Sequence, residues 1–570
     1  MNEEVDGASP TEGVEQYAIG ISFGNSNSSI AHLSADGKAE VIANEEGDRL
    51  IPSFLSYVDG EEFHGTQAKS QLVRNSRNTI GYFRDYLGKD FKSIDPTPCH
   101  SSAHPQENAS TVAFSIQDTE SETPNTVSVS EITTRHLRRL KQSASDFSGK
   151  AVTSAVIAIP TDASEAQTEA LANAAENAQL NVLQFISEPI AALMAYDARG
   201  DHKDKLVVVA DLGGNRSDIA VVASRGGMYS ILATGHDYEL GGVTLDQVLV
   251  DHFAKEFIKK HKIDPRDNER SLAKLKLEAE AVKKALSLSA SATLSVESLA
   301  EGFDFRSTIN RTRYELLAGK VFQSFTRLIE EAVKKADLDL LDIEEVILSG
   351  GTAHTPKIAQ NLKSLFSEHT TVFAPSTSPT AINPGFLAAT GAAIQASLIQ
   401  EFEKEDIEQS THPMVTVTPH IPNAIGIEIE AQEGTSSFEV VIPQDSAVPV
   451  RKTKVMQSLS DGEMVLRVCE GQRKIKTTKL EQRSKAETNG EEDSDEDSDV
   501  EDEEAVRERI WEAIKPLGEI TAKVKKGLKV EVTVNVGADL SISITARELG
   551  AKTGVRGNIE KPEVTENGQA

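Results

Sequence analysis

The sequence predicts an α/β domain followed by an all-β module, and three observations carry that expectation. From Tyr17 to about Ala396, short runs rich in Val, Ile and Ala alternate with stretches of helical periodicity. Beyond Pro413 the apolar period becomes two, with Ile425, Ile427 and Ile429 in step. The chain has 570 residues, and single cores stop growing at about 250–300, so at least two domains are required.

Taken in order, residues 1–16 are acidic, lack the basic and apolar pattern of a signal peptide, and read as a disordered N-terminus. Runs at 151–159 and 206–210 read as buried strands, with a third at 345–348. Ser164 and Gln167 have the spacing of a capping box and open an Ala-rich helix to Ala178; a second long helix is expected from Ser271 to Ser287. Residues 401–412 are polar and charged and read as a linker. Strands are then expected at 464–468, 528–536 and 540–544, within a β-module spanning 413–560, and 561–570 forms a polar tail.

Charge and composition exclude several classes of function. The formal net charge of -30 argues against a DNA-binding role, which needs clustered Lys and Arg. No apolar stretch approaches the ~20 residues of a membrane span, and two cysteines, Cys99 and Cys469, suit a reducing cytoplasm. Much of the charge is local: twelve acidic and no basic residues lie between Glu487 and Glu504. The surrounding segment, 484–505, reads as a solvated disordered loop. Ser494 and Ser498 each have an acidic residue three positions on, so a regulatory phosphorylation reading stands beside the solubilising one.

Two glycine-containing loops follow apolar strands in different halves of the first domain: Gly24-Asn25-Ser26 and Gly213-Gly214-Asn215-Arg216. Glycine lets backbone N–H groups approach phosphate oxygens, so paired loops could grip a polyphosphate, although either alone is an ordinary turn. Similar turns occur at Gly241-Gly242 and Gly350-Gly351. Further pieces are Ile42-Ala43-Asn44-Glu45-Glu46-Gly47-Asp48-Arg49, Ile186-Ser187-Glu188-Pro189, Lys283-Lys284-Ala285-Leu286-Ser287 and Asn383-Pro384. In this order they resemble the 70-kilodalton heat-shock chaperone family, continuously over 17 to about 398 and more loosely from 413 to about 560.

The resemblance implies an actin-like, two-lobed nucleotide-binding domain over 17–400 and a truncated all-β substrate-binding-like domain without a helical lid. The implied cofactor is ATP, with or without Mg²⁺. Adenosine contacts fall on Glu280, Lys283, Lys284 and Ser287. Phosphate contacts fall on Gly24, Asn25, Ser26, Gly213 and Gly214, and the ribose side on Gly241, Gly242, Gly350 and Gly351. The pattern also departs from the family. The first-loop aspartate is matched by Ser22, the first-loop threonine by Asn25, and the lysine of the helix after Asn78-Thr79 by Arg84. The second loop carries Asn215 and Arg216 in place of a glycine and a threonine, while Asp211, Asp218 and Glu188 remain. Arg216 could turn inward to hold phosphate or outward as a surface arginine. The adenine-stacking arginine is matched by His354, and the aspartate after Asn383-Pro384 by Gly385.

Losing one positioned electrostatic or acid–base group typically costs on the order of 10²–10⁴ in rate, so the expectation is ATP binding without hydrolysis and no catalytic residues. The family's leucine-rich coupling linker is matched by the charged 401–412, which offers little apolar surface to dock. Together these departures resemble the atypical, ribosome-associated members of the family. That likeness implies a stable heterodimer with a J-domain co-chaperone of the zuotin type, indirect ribosome attachment, and stimulation of a ribosome-bound chaperone acting on nascent polypeptide. The competing readings are a working ATP-hydrolysing foldase, a nucleotide-exchange factor of the larger heat-shock class, and a scaffold with an empty cleft.

Overall fold

The computed structural model describes residues 17–400 apart from 35, 96–101, 121–122 and 199–203. It also describes 421–559 apart from 422, 431–435, 445, 447, 458–461, 480–504, 525–526, 528, 538–539 and 550–553. The polar linker, the acidic segment with Ser494 and Ser498, Cys99 and the tail lie outside the described residues. The chain divides into two compact units, one formed by 1–224 with 231–408 and the other by 225–230 with 409–570.

The first unit holds two sheets of one design. In the first, strands β1 (Tyr17–Phe23), β2 (Asn27–Leu33), β3 (Ala39–Ile42), β4 (Val152–Ile159) and β5 (Asn181–Ser187) run in the order β5-β4-β1-β2-β3. In the second, β6 (Lys205–Leu212), β7 (Ser217–Arg225), β8 (Met228–Asp237), β9 (Glu345–Ser349) and β10 (Thr371–Phe373) run in the order β8-β7-β6-β9-β10. Within each sheet the leading strand is antiparallel to the next and parallel to the returning one: β1 to β2 and β4, β6 to β7 and β9. Each sheet has its own core. Ile19, Ile21, Ile30, Ile42, Val152 and Ile157 pack in one, and Val208, Ala210, Ile219, Val221, Val346 and Leu348 in the other. Separate cores joined at few places make two lobes with a cleft between them.

The expected strands at 151–159, 206–210 and 345–348 are β4, β6 and β9, with ends shifted by no more than two residues, as strand ends commonly are. Helix α1 (Glu165–Asn177) has the expected Ser164/Gln167 capping box. Two further helices join the lobes. They are α2 (Glu188–Asp197) and α3 (Leu387–Gln400), which cross so closely that a Cβ on Gly391 would lie 1.8 Å from the Ala191 carbonyl oxygen. A Cβ on Gly20 of β1 would likewise lie 2.1 Å from the Ala393 nitrogen. Small residues here (Ala191, Ala388, Ala392, Ala396) bring backbone against backbone at the base of the cleft.

The described residues of the second unit are all-β, as the period-two pattern predicts. One four-stranded sheet runs Ser436–Ile442, Ala424–Glu430, Gly462–Lys479, Ala505–Val524; the other runs Val450–Gln457, Lys529–Val536, Ile542–Glu548, Val555–Ile559. Ile425, Ile427, Leu466 and Val468 of one sheet share a core with Val530, Val532, Val534 and Ile544 of the other. The expected strand at 540–544 begins later, at Ile542, and runs on to Glu548.

Candidate functional site

Parallel strands that end side by side leave a crevice beyond their carboxyl ends, and ligands settle there in open α/β sheets. Both glycine loops occupy that position. Gly24-Asn25-Ser26 joins β1 to β2 and Gly213-Gly214-Asn215-Arg216 joins β6 to β7, so the two loops are topological equivalents facing one another. A Cβ on Gly214 would lie 2.1 Å from the Ser26 hydroxyl, which measures how near the loops come. Between the lobes lies a cleft of about 770 Å³.

Of the positions singled out in the sequence for a nucleotide, all but Gly241 line this cleft. Gly241 stands one residue back as the N-cap of helix α4 (Gly242–His261), where a Cβ would lie 2.5 Å from the Gly214 carbonyl oxygen. That helix is stitched to the second loop by Gly242 N–H to the Gly213 carbonyl at 3.0 Å and Val243 N–H to Gly214 at 2.6 Å. Gly350 follows β9 with φ of +80°, a left-handed conformation, and a Cβ there would lie 2.4 Å from the Leu212 carbonyl oxygen.

Helix α5 (Glu269–Leu288), packed in the core of the second lobe, lines a further wall and runs past both expected ends, its start capped by the Asn268 side chain. Lys283 donates to Asp246 at 2.8 Å and to the Gly242 carbonyl at 2.9 Å, which ties α5 to α4. Glu280 takes Lys69 from the first lobe at 2.7 Å and Lys284 at 2.8 Å. Burial alone would raise the Glu280 carboxyl, but the three lysines, Lys69 foremost, outweigh it and hold it well below the usual range. His354 meets Asn383 Oδ1 at 3.1 Å on the cleft rim.

Arg84 departs from the expectation. It lies not in a helix but in a single 3₁₀ turn, Arg84–Tyr86, because the chain leaves a three-residue strand, Thr79–Gly81, and has room for one turn only. Its guanidinium donates to Asp85 at 2.9 Å, and to Glu188 and the Phe23 carbonyl at 3.3 Å. Arg216 resolves the inward or outward alternative differently from either form. It is 8% exposed, yet its charge goes to Asp162 at 2.8 Å and to Asp218, with Tyr238 beneath it. Asp85, Lys69, Asp162, Asp246, His236 and Tyr238 were not legible as site residues. Each is placed by a distant segment and has no local motif.

The floor of the cleft gathers more carboxylates than cations. Burial pushes Glu188 up to about 8; Arg84 opposes the rise, while Asp211 and Asp218 add to it. Asp211 is pushed up to about 6 by burial and by Asp218. Two buried polar atoms on the first loop, Asn25 Oδ1 and Ser26 Oγ, have no hydrogen-bond partner, and such atoms are costly unless a ligand or water meets them. Backbone N–H groups on two close-packed glycine loops and an available hydroxyl suit a polyphosphate, while the Arg84 and Arg216 guanidiniums beside them are already paired with carboxylates. Protonation of Glu188 and Asp211, or a bound cation, would relieve the acidic floor beneath it.

No helix among the described residues is long and apolar enough to cross a membrane. The chain is 42% identical over 542 residues to the ribosome-associated complex subunit SSZ1 of Saccharomyces cerevisiae, covering 95% of this chain and 99% of that one. It is equally identical, at 42% over 554 residues, to a heat shock protein 70 homolog of Schizosaccharomyces pombe, covering 95% and 96%. A ribosome-associated molecular chaperone of Saccharomyces cerevisiae is 32% identical over 475 residues, 81% of this chain and 73% of that one. The family profile described as Hsp70 protein matches residues 18–487. With two matched sheets flanking a glycine-lined cleft and a β-sandwich beyond, the chain belongs to the Hsp70 family.

Proposed function

We propose that this protein is the Hsp70-type subunit of a ribosome-associated complex, and that it holds ATP as a structural ligand without hydrolysing it. The observation that carries the second half is the state of the charged groups around the expected γ-phosphate. Hydrolysis needs carboxylates free to order a metal and its water shell, and a compact cation to orient the attacking water. Here Glu188 pairs with Arg84, Asp218 pairs with Arg216 and His236, and Ser22 stands where a carboxylate is expected. A guanidinium grips phosphate in a fixed fork, but it replaces the ammonium that would position water.

On this reading ATP lies with its phosphates between Gly24-Asn25-Ser26 and Gly213-Gly214, its ribose near Gly242, Gly350 and Gly351, and its base against Glu280, Lys283, Lys284 and Ser287. Mg²⁺, where it accompanies the nucleotide, would be held by Asp211, which unlike Glu188 and Asp218 makes no ion pair with an arginine, and would supply charge neutralisation of the phosphates. No residue acts as a catalyst. The ribosome-associated half is supported by the relative named as a ribosome-associated complex subunit, which aligns with this chain almost end to end. We further propose that this protein is the stable partner of a J-domain co-chaperone of the zuotin type in the cytoplasm, attached to the ribosome through that partner. Its role is then to help the pair stimulate a ribosome-bound chaperone acting on nascent polypeptide.

Purification from cells in high salt, identification of what remains bound, and denaturation followed by ion-exchange chromatography test both halves. The expected result is one co-purifying J-domain protein and intact ATP near equimolar with the chain. A single-turnover assay of the pure chain should show no phosphate release above buffer. Release at an ordinary chaperone rate, lost in Asp211→Asn or Glu188→Gln, would establish the ATP-hydrolysing foldase instead.

A further inference from the structure

One charged cluster crosses the cleft, and its reach from lobe to lobe plays no part in the reading above. Asp162 lies in the loop after β4, on the first lobe. Arg216 and Asp218 belong to the second loop and the start of β7, while His236 and Tyr238 lie at the end of β8, all on the second lobe. Both oxygens of Asp162 are taken from across the gap: Oδ1 by Arg216 Nη2 at 2.8 Å and Oδ2 by the Tyr238 hydroxyl at 2.7 Å. The Arg216 guanidinium sits 4.7 Å from the Tyr238 ring centroid, a cation–π contact. Its Nε donates to Asp218 at 2.8 Å, and His236 Nδ1 meets the other Asp218 oxygen at 2.7 Å.

This arrangement differs from a surface ion pair in two ways. Arg216 is largely buried, so its bonds are weakly screened, and it is oriented by Asp218 and Tyr238 before it reaches Asp162. The titrating groups agree with the geometry: burial would raise the Asp162 carboxyl, but Arg216 and the Tyr238 hydroxyl outweigh it and hold it low. The Asp162 carboxylate in turn pushes the Tyr238 phenol up to about 12. Asp162, Asp218 and His236 also present ligand atoms within 4.8 Å of one another. Arg216 already lies against both carboxylates, so a metal ion there would have to displace it.

We propose that Asp162, Arg216 and Tyr238 form a clasp, built of protein groups alone, that holds the two lobes together and sets how slowly a bound nucleotide leaves. Both hydrogen bonds to Asp162 join one lobe to the other without passing through a ligand. Asp162 and Tyr238 are positioning residues: they lie outside the cleft lining and act by keeping it shut. The nucleotide half of this inference rests on the cleft being an ATP site.

The test compares the full chain, with its co-purifying partner, to the double variant Asp162→Asn/Tyr238→Phe. A fluorescent ATP analogue is loaded, then chased with excess ATP. Most effects of this kind fall on the dissociation rate, so the variant should release the analogue about tenfold faster with its association rate little changed. Tyr238→Phe alone keeps the ring under Arg216 and loses one hydrogen bond, so it should show a smaller rise; its exposed position makes it safe for folding should the double variant prove unstable. Hydrogen exchange on nucleotide-free protein supplies the second readout: amides of 24–28 and 213–217 should exchange faster in the variants. Unchanged release together with unchanged exchange overturns the clasp. If the unmodified protein binds no analogue, the ATP reading fails, and exchange alone then decides the clasp, faster exchange supporting it and equal exchange rejecting it.

Discussion

Two groups of buried titratable residues make the clearest residue-scale predictions. Glu188 has a folded-state pKa of about 8, above its ordinary 4.5, so its contribution is fully present below 4.5 and is lost as pH rises through 8. In nucleotide-free protein the thermal midpoint of Glu188→Gln should therefore gain on that of the unmodified chain between pH 6 and pH 9. A constant difference across that range would show that burial does not disfavour the ionised form. His64 and His136 behave oppositely. His64 Nε2 meets His136 Nδ1 at 2.8 Å, and His136 Nε2 meets Ser28 at 2.9 Å, which in turn bonds Ser53 and so the Gly24 carbonyl of the first loop. Burial holds His64 down to about 3 and His136 well below its ordinary value. Stability they support is present above pH 6.5 and is lost as pH falls. His136→Leu should cost about 1–3 kcal/mol at pH 7.5, because Ser28 and His64 each lose a partner, and should flatten the acid limb of the stability profile.

At the scale of elements, what matters is how close two backbones can come. Gly391 of α3 against Ala191 of α2 leaves no space for a side chain, and the obstructing atom is a carbonyl oxygen that cannot turn away. Gly391→Val should destabilise the first unit by about 3 kcal/mol in chemical denaturation, the upper end of overpacking costs. A loss under about 1 kcal/mol would mean the crossing can open. By contrast, Ser164→Ala removes a cap on an exposed helix start and should cost about 1 kcal/mol. That capping box was readable from four consecutive residues, whereas the helix crossing was not. The Ala-rich composition of 387–400 reports a close approach without saying to what. The helix that the resemblance implied around Arg84 is a single 3₁₀ turn in this chain, and the short segment 82–87, between a strand and a glycine, carries too little periodicity to show which it would be.

For the whole molecule, a ligand shared by two lobes stabilises them by mass action. If ATP bridges the cleft, ATP at about a hundred times its dissociation constant should add about 2.7 kcal/mol to the unit carrying the two loops, seen as a raised thermal midpoint. No shift with ATP, in protein first stripped of nucleotide, would leave the cleft without its proposed occupant. Local periodicity was enough to mark the α/β unit and the all-β module, and glycine at fixed offsets marked the two loops; the polar positions on the cleft wall, Glu280, Lys283, Lys284 and Ser287, came only from the resemblance that the ordered loops carry, because they have no local motif of their own. The resemblance also marked which residues depart from the family pattern, at Ser22, Arg84, Asn215 and Arg216. It could not show what the changed residues do. Arg84 finds Glu188 across 104 positions and Arg216 finds Asp162 across 54, and pairing at such separations is fixed only when two sheets and two crossing helices bring the lobes face to face.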